Sequence, residues 1–153
     1  MRVRGTSRRL LGLTGGLAGT LLALALTFTA SSVEAGGARI LERSASDIRQ
    51  RGWVYAIELP APDEASASET LTTLYWQFEL KGPSVSPEIV LCAPARCISL
   101  DTLRGHTEAF RGLAADTPLE LRYALPGEGM LRQPVRAGRF QLILNYRRGA
   151  PEA

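Results

Sequence analysis

The sequence predicts an all-β fold, a small antiparallel β-sandwich, placed behind a cleavable N-terminal signal peptide. Two observations carry this prediction. Apolar residues recur at every second position in several segments after residue 52, and the first 35 residues have the three parts of a secretory leader. One antiparallel sheet leaves its apolar face uncovered, so a second sheet must pack against it. A small β-barrel is the alternative way to cover that face.

Residues 1–35 are predicted to be the signal peptide. The first nine residues are basic, residues 10–30 contain no charged residue, and Val33-Glu34-Ala35 places compact residues at the positions that a signal peptidase reads. We expect cleavage after the last of these. Cleavage after Ser32 and retention of the apolar stretch as a membrane anchor are the alternatives. Ser7-Arg8-Arg9 also resembles a twin-arginine leader, which leaves the export route open.

The remainder, residues 36–153, is expected to be one periplasmic domain with no stable membrane span and no nucleic-acid partner. The whole chain has 18 Lys and Arg against 15 Asp and Glu. The leader contains four of these bases and one of the acids, so the predicted mature domain keeps 14 of each and is neutral. A neutral domain lacks the basic surface that binding to nucleic acid requires.

Six strands are predicted, each with apolar residues at alternate positions and with Gly- or Pro-containing turns between them. They cover residues 53–59, 71–80, 88–92, 97–101, 119–125 and 139–146. A seventh strand over residues 106–113 is the alternative to a loop there. Before the first strand, a helical spacing of apolar residues predicts one short helix over residues 40–50, with the apolar positions Ile40, Leu41, Ala45 and Ile48.

Cys92 and Cys97 are expected to form a structural disulfide. An exported protein meets oxidising conditions, and the four residues between the cysteines can form a hairpin loop that sets them opposite each other, within disulfide range. Redox chemistry is an alternative, but redox sites usually have the spacing C-x-x-C. A zinc site would need more ligands than these cysteines and His106 supply, so we expect no metal and no cofactor. Reduced thiols are the remaining alternative.

A non-enzymatic protein is expected, because the sequence contains no recognisable catalytic arrangement. There is no G-x-S-x-G turn, no phosphate-binding loop and no H-E-x-x-H motif. His106 is the one histidine, and we interpret it as a solvated side chain. Glu58, Glu79 and Glu120 occupy the polar faces of predicted strands, where charged side chains ordinarily lie.

Two groups of side chains are candidates for binding a partner. Trp53 and Tyr75 could form a platform for a sugar or a peptide, but aromatic residues in strands more often pack in the core, and Trp53 is expected there. Trp76 is expected in the core because it lies on the apolar face of its strand, opposite to the face of Leu71. The second group would suit an acidic partner, or would keep a strand edge solvated, and consists of Arg132, Arg136, Arg139 and Arg147.

Four segments carry a resemblance to a known family. They are Tyr75-Trp76-Gln77-Phe78-Glu79-Leu80-Lys81 with the following Gly82-Pro83 turn, the hairpin from Leu91-Cys92 to Arg96-Cys97-Ile98-Ser99-Leu100-Asp101, the stretch Pro126-Gly127-Glu128-Gly129-Met130-Leu131 before Pro134-Val135, and Gln141-Leu142-Ile143-Leu144-Asn145-Tyr146-Arg147. In their order and spacing these segments resemble the flagellar protein FlhE of Gram-negative bacteria, and the resemblance covers about residues 70–147.

The resemblance implies a small periplasmic β-domain that takes part in flagellar assembly. The FlhE family is associated with the flagellar type III export apparatus, where it is thought to limit proton leakage through the export channel. A chaperone-like role toward flagellar components has also been proposed for it, and it has no established catalytic residues. The implied partners are proteins of the export gate, the rod or other periplasmic parts of the flagellum. A homo-oligomer is also compatible with the sequence.

Two modes of binding follow from the predicted fold. A partner strand could add to an open sheet edge, for which we expect residues 140–146 or the neighbouring strand to be available. The alternative function is a periplasmic module that binds carbohydrate or peptidoglycan, which predicts that Trp53 and Tyr75 form one exposed, coplanar surface.

Overall fold

The computed structural model describes residues 36–82 and 86–149, and the predicted signal peptide lies outside them. The described residues form nine β-strands and no helix, which confirms the all-β prediction. The strands are β1 (Gly36–Ser44), β2 (Ile48–Arg51), β3 (Tyr55–Leu59), β4 (Glu69–Lys81), β5 (Glu88–Ala93), β6 (Arg96–Ser99), β7 (Arg104–Thr107), β8 (Leu119–Ala124) and β9 (Gly129–Arg148).

The strands form two antiparallel sheets. The larger sheet has five strands in the order β1-β9-β4-β7, with β2 also paired to β9, and the smaller sheet has four strands in the order β3-β8-β5-β6. The sheets do not close into a barrel. The β-sandwich prediction is therefore confirmed, and the alternative of a small barrel is wrong.

One hydrophobic core lies between the inner faces of the two sheets, to which every second residue of the central strands contributes. Phe78 of β4 connects the sheets, because its ring meets Tyr123 of β8 and Phe140 of β9 edge-on, with ring centroids 5.1 and 5.7 Å apart. Such edge-on pairs add to the stabilisation that comes from burial alone. The face of the larger sheet that points away from this core is called the outer face below.

Strand β9 lies in the interior of the larger sheet. It is 20 residues long, and it pairs with β4 along one side and with β2 and then β1 along the other. The prediction named residues 140–146 or the neighbouring strand as the open edge, and the first of these two alternatives is therefore wrong. The edge belongs to the neighbouring strand β1, and it exists because residues 36–44 form a strand that the sequence pattern did not indicate.

The helix predicted over residues 40–50 is wrong, because this segment forms the end of β1, a corner and most of β2. Leu41 and Ile48 are both buried, as the helical spacing required, but they reach the core from two separate strands. The Asp47 carboxylate accepts a hydrogen bond from the Ala137 backbone N–H (2.9 Å), which fixes the corner against β9. Pairing with the otherwise open side of β9 outweighs a weak local preference for helix.

A register shift between Leu71 and Leu74 interrupts the alternation in β4. Both leucines are consequently buried, with relative exposures of 1% and 0%. The prediction that Leu71 faces away from the core is wrong for this reason, since one extra residue in a strand reverses the faces beyond it. Part of the predicted seventh strand exists as β7, but residues 108–113 form turns.

Candidate functional site

The outer face of the larger sheet carries a row of exposed apolar and aromatic side chains. Ile40, Ile143, Tyr75 and His106 are direct cross-strand neighbours across β1, β9, β4 and β7. Ile40 is 60% exposed and Tyr75 is 45% exposed. The rings of Tyr75 and His106 lie 5.6 Å apart between centroids with a tilt of 33°. The structure thus places Tyr75, a predicted recognition residue, on an open sheet surface.

A row of polar side chains runs directly beside the apolar one. Glu42, Gln141, Gln77 and Arg104 are cross-strand neighbours on the same four strands. The Gln141 side-chain amide donates a hydrogen bond to Glu42 (2.7 Å), and Arg139 donates to the other Glu42 oxygen (3.4 Å). The outer face therefore presents an apolar strip and a hydrogen-bonded polar strip side by side.

Strand β1 gives the larger sheet an exposed edge. Among the residues that the structure describes, β1 pairs only with β9. The N–H of Ala45 donates to the carbonyl oxygen of Gly138 (2.9 Å), one step beyond the Ser44–Arg139 pair. Because bonded and non-bonded pairs alternate in an antiparallel ladder, the backbone groups that point away from β9 belong to the even-numbered residues Gly36, Ala38, Ile40, Glu42 and Ser44.

Trp53 lies outside the core, so the expectation that it packs there is wrong. It belongs to the connection between β2 and β3 and is 58% exposed, beside Val54, which is 57% exposed. The preceding turn is fixed by Gly52, whose N–H donates to the Leu125 carbonyl oxygen (2.8 Å). The structure does not place Trp53 and Tyr75 on one sheet face, and the coplanar aromatic surface predicted for a carbohydrate module is not formed by these two residues.

Trp76 is half-buried at the margin of the core, which agrees with its predicted position on the apolar face of β4. Its indole N–H donates to the carbonyl oxygen of Thr102 (2.9 Å). The ring covers Gly105 of β7 so closely that a Cβ atom there would lie 2.6 Å from Trp76 Cζ2. Glycine at this position therefore lets β7 approach the ring.

The arginines near the C-terminus are spread along β9 and do not form one basic patch. Arg136 pairs with Asp47 (3.6 Å), and Arg139 pairs with Glu42 (3.4 Å). Arg147 donates a hydrogen bond to the hydroxyl of Thr70 (3.3 Å), and Arg132 is exposed near the start of the strand. A role of these arginines toward an acidic partner stays a prediction.

Cys92 and Cys97 form the predicted disulfide. The two cysteines are directly opposed in the β5–β6 hairpin, with Cα atoms 4.0 Å apart, because only Pro94 and Ala95 form the turn between the strands. A depression of about 560 Å³ adjoins the disulfide and is lined by three prolines from three connections between strands and by polar side chains of β3 and β8, including Glu58 and Glu120. Glu120 forms an ion pair with Arg122.

A charged cluster around Glu69 joins both ends of the described chain, and sequence reasoning missed it. Glu69 of β4 is 5% exposed and pairs with Arg39 of β1 (2.8 Å) and Arg148 of β9 (3.2 Å). The Arg39 guanidinium also lies 4.0 Å from the ring centroid of Tyr146. The hydrogen bond from Arg39 is the main cause of the lowered pKa of the Glu69 carboxyl, and Arg148 lowers this pKa further. Glu69 precedes the strand predicted over residues 71–80, so no sequence signal marked this residue as buried.

The described residues include no group of three or more His, Cys, Asp or Glu side chains that could hold a metal ion. Nor does the described part of the chain include a helix long and apolar enough to cross a bilayer. The features that the structure does offer are surfaces: the outer face of the larger sheet, the β1 edge, the exposed Trp53 segment and the depression beside the disulfide.

The model of the family named flagellar protein FlhE matches residues 42–147, well over half of the chain. The chain belongs to the FlhE family. The match begins before residue 70, so it extends the resemblance seen in the sequence to the end of β1 and to β2 and β3. Membership of the FlhE family gives the chain a flagellar role, and the family is named for that role and not for an enzymatic activity.

Individual relatives agree with this assignment. The flagellar protein FlhE of Escherichia coli K12 is 37% identical over 89 residues, which are 58% of this chain and 68% of the relative. That of Salmonella typhimurium LT2 is 32% identical over 127 residues, which are 81% of this chain and 97% of the relative.

Solved structures show the same fold. A crystal structure of FlhE superimposes with a TM-score of 0.66 at 30% identity, covering 74% of this chain and 98% of that one. A serine protease of Aeromonas sobria also superimposes, with a TM-score of 0.57 at 11% identity, covering 72% of this chain and 27% of the protease. The likeness to the protease shows a shared fold alone.

Proposed function

We propose that this chain is a non-enzymatic accessory protein that works in the periplasm, at or near the flagellar type III export apparatus. The observation that carries the proposal is the FlhE family match over residues 42–147, together with the common fold. Two molecular roles fit the proposal: control of proton leakage through the export channel, and a chaperone-like role during flagellar assembly. Both roles need a surface that binds another protein.

The β1 edge is the surface that best fits a chaperone-like role. Five residues direct their backbone N–H and C=O groups away from the sheet, and an extended segment of a partner can pair with such groups as an added strand. Natural sheets usually protect their edges with short strands or inward charges. Strand β1 is nine residues long, and Ile40 at its centre is 60% exposed. The edge therefore has the length and the apolar centre that strand addition requires.

Control of proton leakage would use the molecule differently. A protein that closes a channel mouth must present a rigid surface to it, and a sandwich with one continuous core supplies such a surface. The outer face of the larger sheet is the most extensive ordered surface among those described above, because it spans four paired strands. Substitutions in the edge and in the outer face can therefore separate the two roles.

The proposal is tested in a strain that lacks the gene, grown in acidic medium, while cytoplasmic pH, motility and flagellar number are followed. Cytoplasmic acidification that disappears when the export gate is also deleted is the expected result for control of proton leakage. Normal cytoplasmic pH with an altered number or structure of flagella is the expected result for a chaperone-like role. Normal pH, motility and flagellation would contradict both versions.

A further inference from the structure

Two shallow depressions adjoin each other on the outer face of the larger sheet. One has a volume of about 210 Å³ and is polar, and the other has a volume of about 400 Å³ and includes the exposed aromatic side chains. Gln77 and Gln141 line both of them, so the two form one continuous groove across β4 and β9. The volume of this groove falls within the range of small-ligand sites, roughly 300–1,000 Å³.

The charges around the groove cancel. Glu42 and Glu79 contribute two carboxylates, and Arg139 and Arg104 contribute two guanidinium groups. Two of these four are already paired with each other, since Arg139 lies 3.4 Å from Glu42. A ligand with a net charge would find no excess of the opposite charge here, whereas an uncharged ligand rich in hydroxyl groups would find both donors and acceptors.

The side chains at the centre of the groove suit such a ligand. The two glutamines each carry an amide that donates and accepts hydrogen bonds. One of them, Gln141, is held in place by its hydrogen bond of 2.7 Å to Glu42. Next to the amides, Tyr75 contacts His106 and has Ile143 as its cross-strand neighbour, which makes that part of the groove apolar. A polar strip beside an aromatic strip matches a molecule with a hydroxyl-bearing edge and a C–H face.

We propose that this groove binds a short neutral oligosaccharide, with a sugar ring placed against Tyr75 and hydroxyl or acetamido groups bonded to Gln77 and Gln141. Sugars combine hydroxyl groups with apolar C–H surfaces, and the two strips meet both needs. The site does not use the backbone groups of the β1 edge, so it is separate from the chaperone-like role, although it lies on the outer face that control of proton leakage would use. It also differs from the aromatic pair expected from the sequence, since Trp53 takes no part.

The test is a calorimetric titration of the purified protein with tetramers of N-acetylglucosamine and of glucose. We expect at least one tetramer to bind, and we expect Tyr75→Ala and Gln77→Ala each to weaken its affinity about ten-fold. Trp53→Ala is the matched control, because it removes another exposed aromatic side chain, one that does not line the groove, and it should leave the affinity unchanged. Circular dichroism and thermal unfolding show whether each variant is folded.

Four further outcomes bear on the proposal. Binding that persists at high salt supports a neutral ligand, because salt screens interactions between exposed charges. Absence of binding for both tetramers at millimolar concentration overturns the proposal, as does binding that Trp53→Ala weakens and the two groove variants leave intact. The variant Ile40→Pro alters the β1 edge and not the groove lining, so it should bind the sugar normally. Normal sugar binding by a variant that fails to restore flagellation would therefore separate this proposal from strand addition at the β1 edge.

Discussion

The hydroxyl group of Tyr123 donates a hydrogen bond of 2.8 Å to the carbonyl oxygen of Ser46. Tyr123 lies in β8 of the smaller sheet, and Ser46 lies in the corner between β1 and β2 of the larger sheet, so the bond joins the two layers. Tyr123 is 1% exposed, and burial is the main cause of the raised pKa of its hydroxyl. The hydroxyl therefore keeps the proton that it donates well into the alkaline range.

Replacement of Tyr123 by phenylalanine is expected to lower the free energy of unfolding by about 1 kcal/mol, because the Ser46 carbonyl loses its donor while the ring keeps its packing. Urea denaturation measures this change. Tyr55→Phe is the matched control, since the Tyr55 hydroxyl accepts a hydrogen bond from the Arg49 N–H at an exposed position. If Tyr55→Phe lowers the free energy of unfolding as much as Tyr123→Phe does, the buried hydrogen bond stabilises the fold no more than the exposed one.

The ion cluster at Glu69 predicts loss of stability in acid. The folded-state pKa of Glu69 is lowered from the ordinary value of 4.5, chiefly by the hydrogen bond from Arg39. A group whose pKa is lower in the folded than in the unfolded state stabilises the fold above its unfolded pKa and loses this effect as pH falls through its folded pKa. The contribution should therefore be constant from neutral pH down to about pH 5 and decline below about pH 4.5.

The variant Glu69→Gln tests this assignment. It should be less stable than the wild type at neutral pH, and its stability should depend less on pH in the acid range, as measured by urea denaturation at a series of pH values. Glu108→Gln is the control, because the pKa of Glu108 is also lowered, by Arg111, but both partners of that pair are exposed. Parallel stability curves for Glu69→Gln and the wild type would contradict the prediction.

Strand addition at the β1 edge predicts that two substitutions of Ile40 differ in their effect on partner binding. Ile40→Pro removes an N–H group that points away from β9, so it should spare the ladder and block strand addition. Ile40→Ala removes the same side chain and keeps the N–H. We expect both variants to fold, and only Ile40→Pro to lose binding to purified rod proteins and to fail to restore flagellation in the deletion strain. Equal binding by the two variants would rule out strand addition at β1.

Removal of the disulfide is expected to lower stability modestly and to loosen the structure only near the β5–β6 hairpin. Cys92 and Cys97 close a loop with a sequence separation of 5. The double replacement Cys92→Ser and Cys97→Ser should therefore lower the free energy of unfolding by about 2 kcal/mol. Amide hydrogen exchange should increase in β5 and β6 and stay unchanged in β4 and β9. Global loss of protection would show instead that the hairpin supports the whole core.

The sandwich could be predicted from the sequence because period-two alternation reports which residues face a core, and this pattern was clear in β3, β4 and β8. The pattern does not report which strands become neighbours. Residues 140–146 alternate in the same way whether they lie at an edge or in the interior, so the interior position of β9 was not predictable. Residues 40–50 were misassigned because their apolar spacing also fits a helix, and only the pairing with β9 decides between the two.

The candidate surfaces were predictable only in part. Tyr75 could be named as a recognition residue because an aromatic side chain opposite an apolar face tends to be exposed. Its neighbours in the groove, Gln77, Gln141 and Glu42, come from three strands that are brought together by register alone. Trp53 was expected in the core because it continues the alternation of β3, but β3 begins only at Tyr55 and the pattern extends past the strand.

The interior position of β9 has a consequence for how the chain acquires its structure. The C-terminal strand lies between the first and the fourth, and β1, β2 and β4 find their shared partner only after residue 129. Contacts of such large sequence separation form slowly, because long loops must close before any pairing is gained. Until β9 has been synthesised, the larger sheet therefore lacks its central strand, and β1 and β2 lack their partner among the described strands. The strands of the smaller sheet all precede β9, so that sheet can pair before the larger sheet is completed.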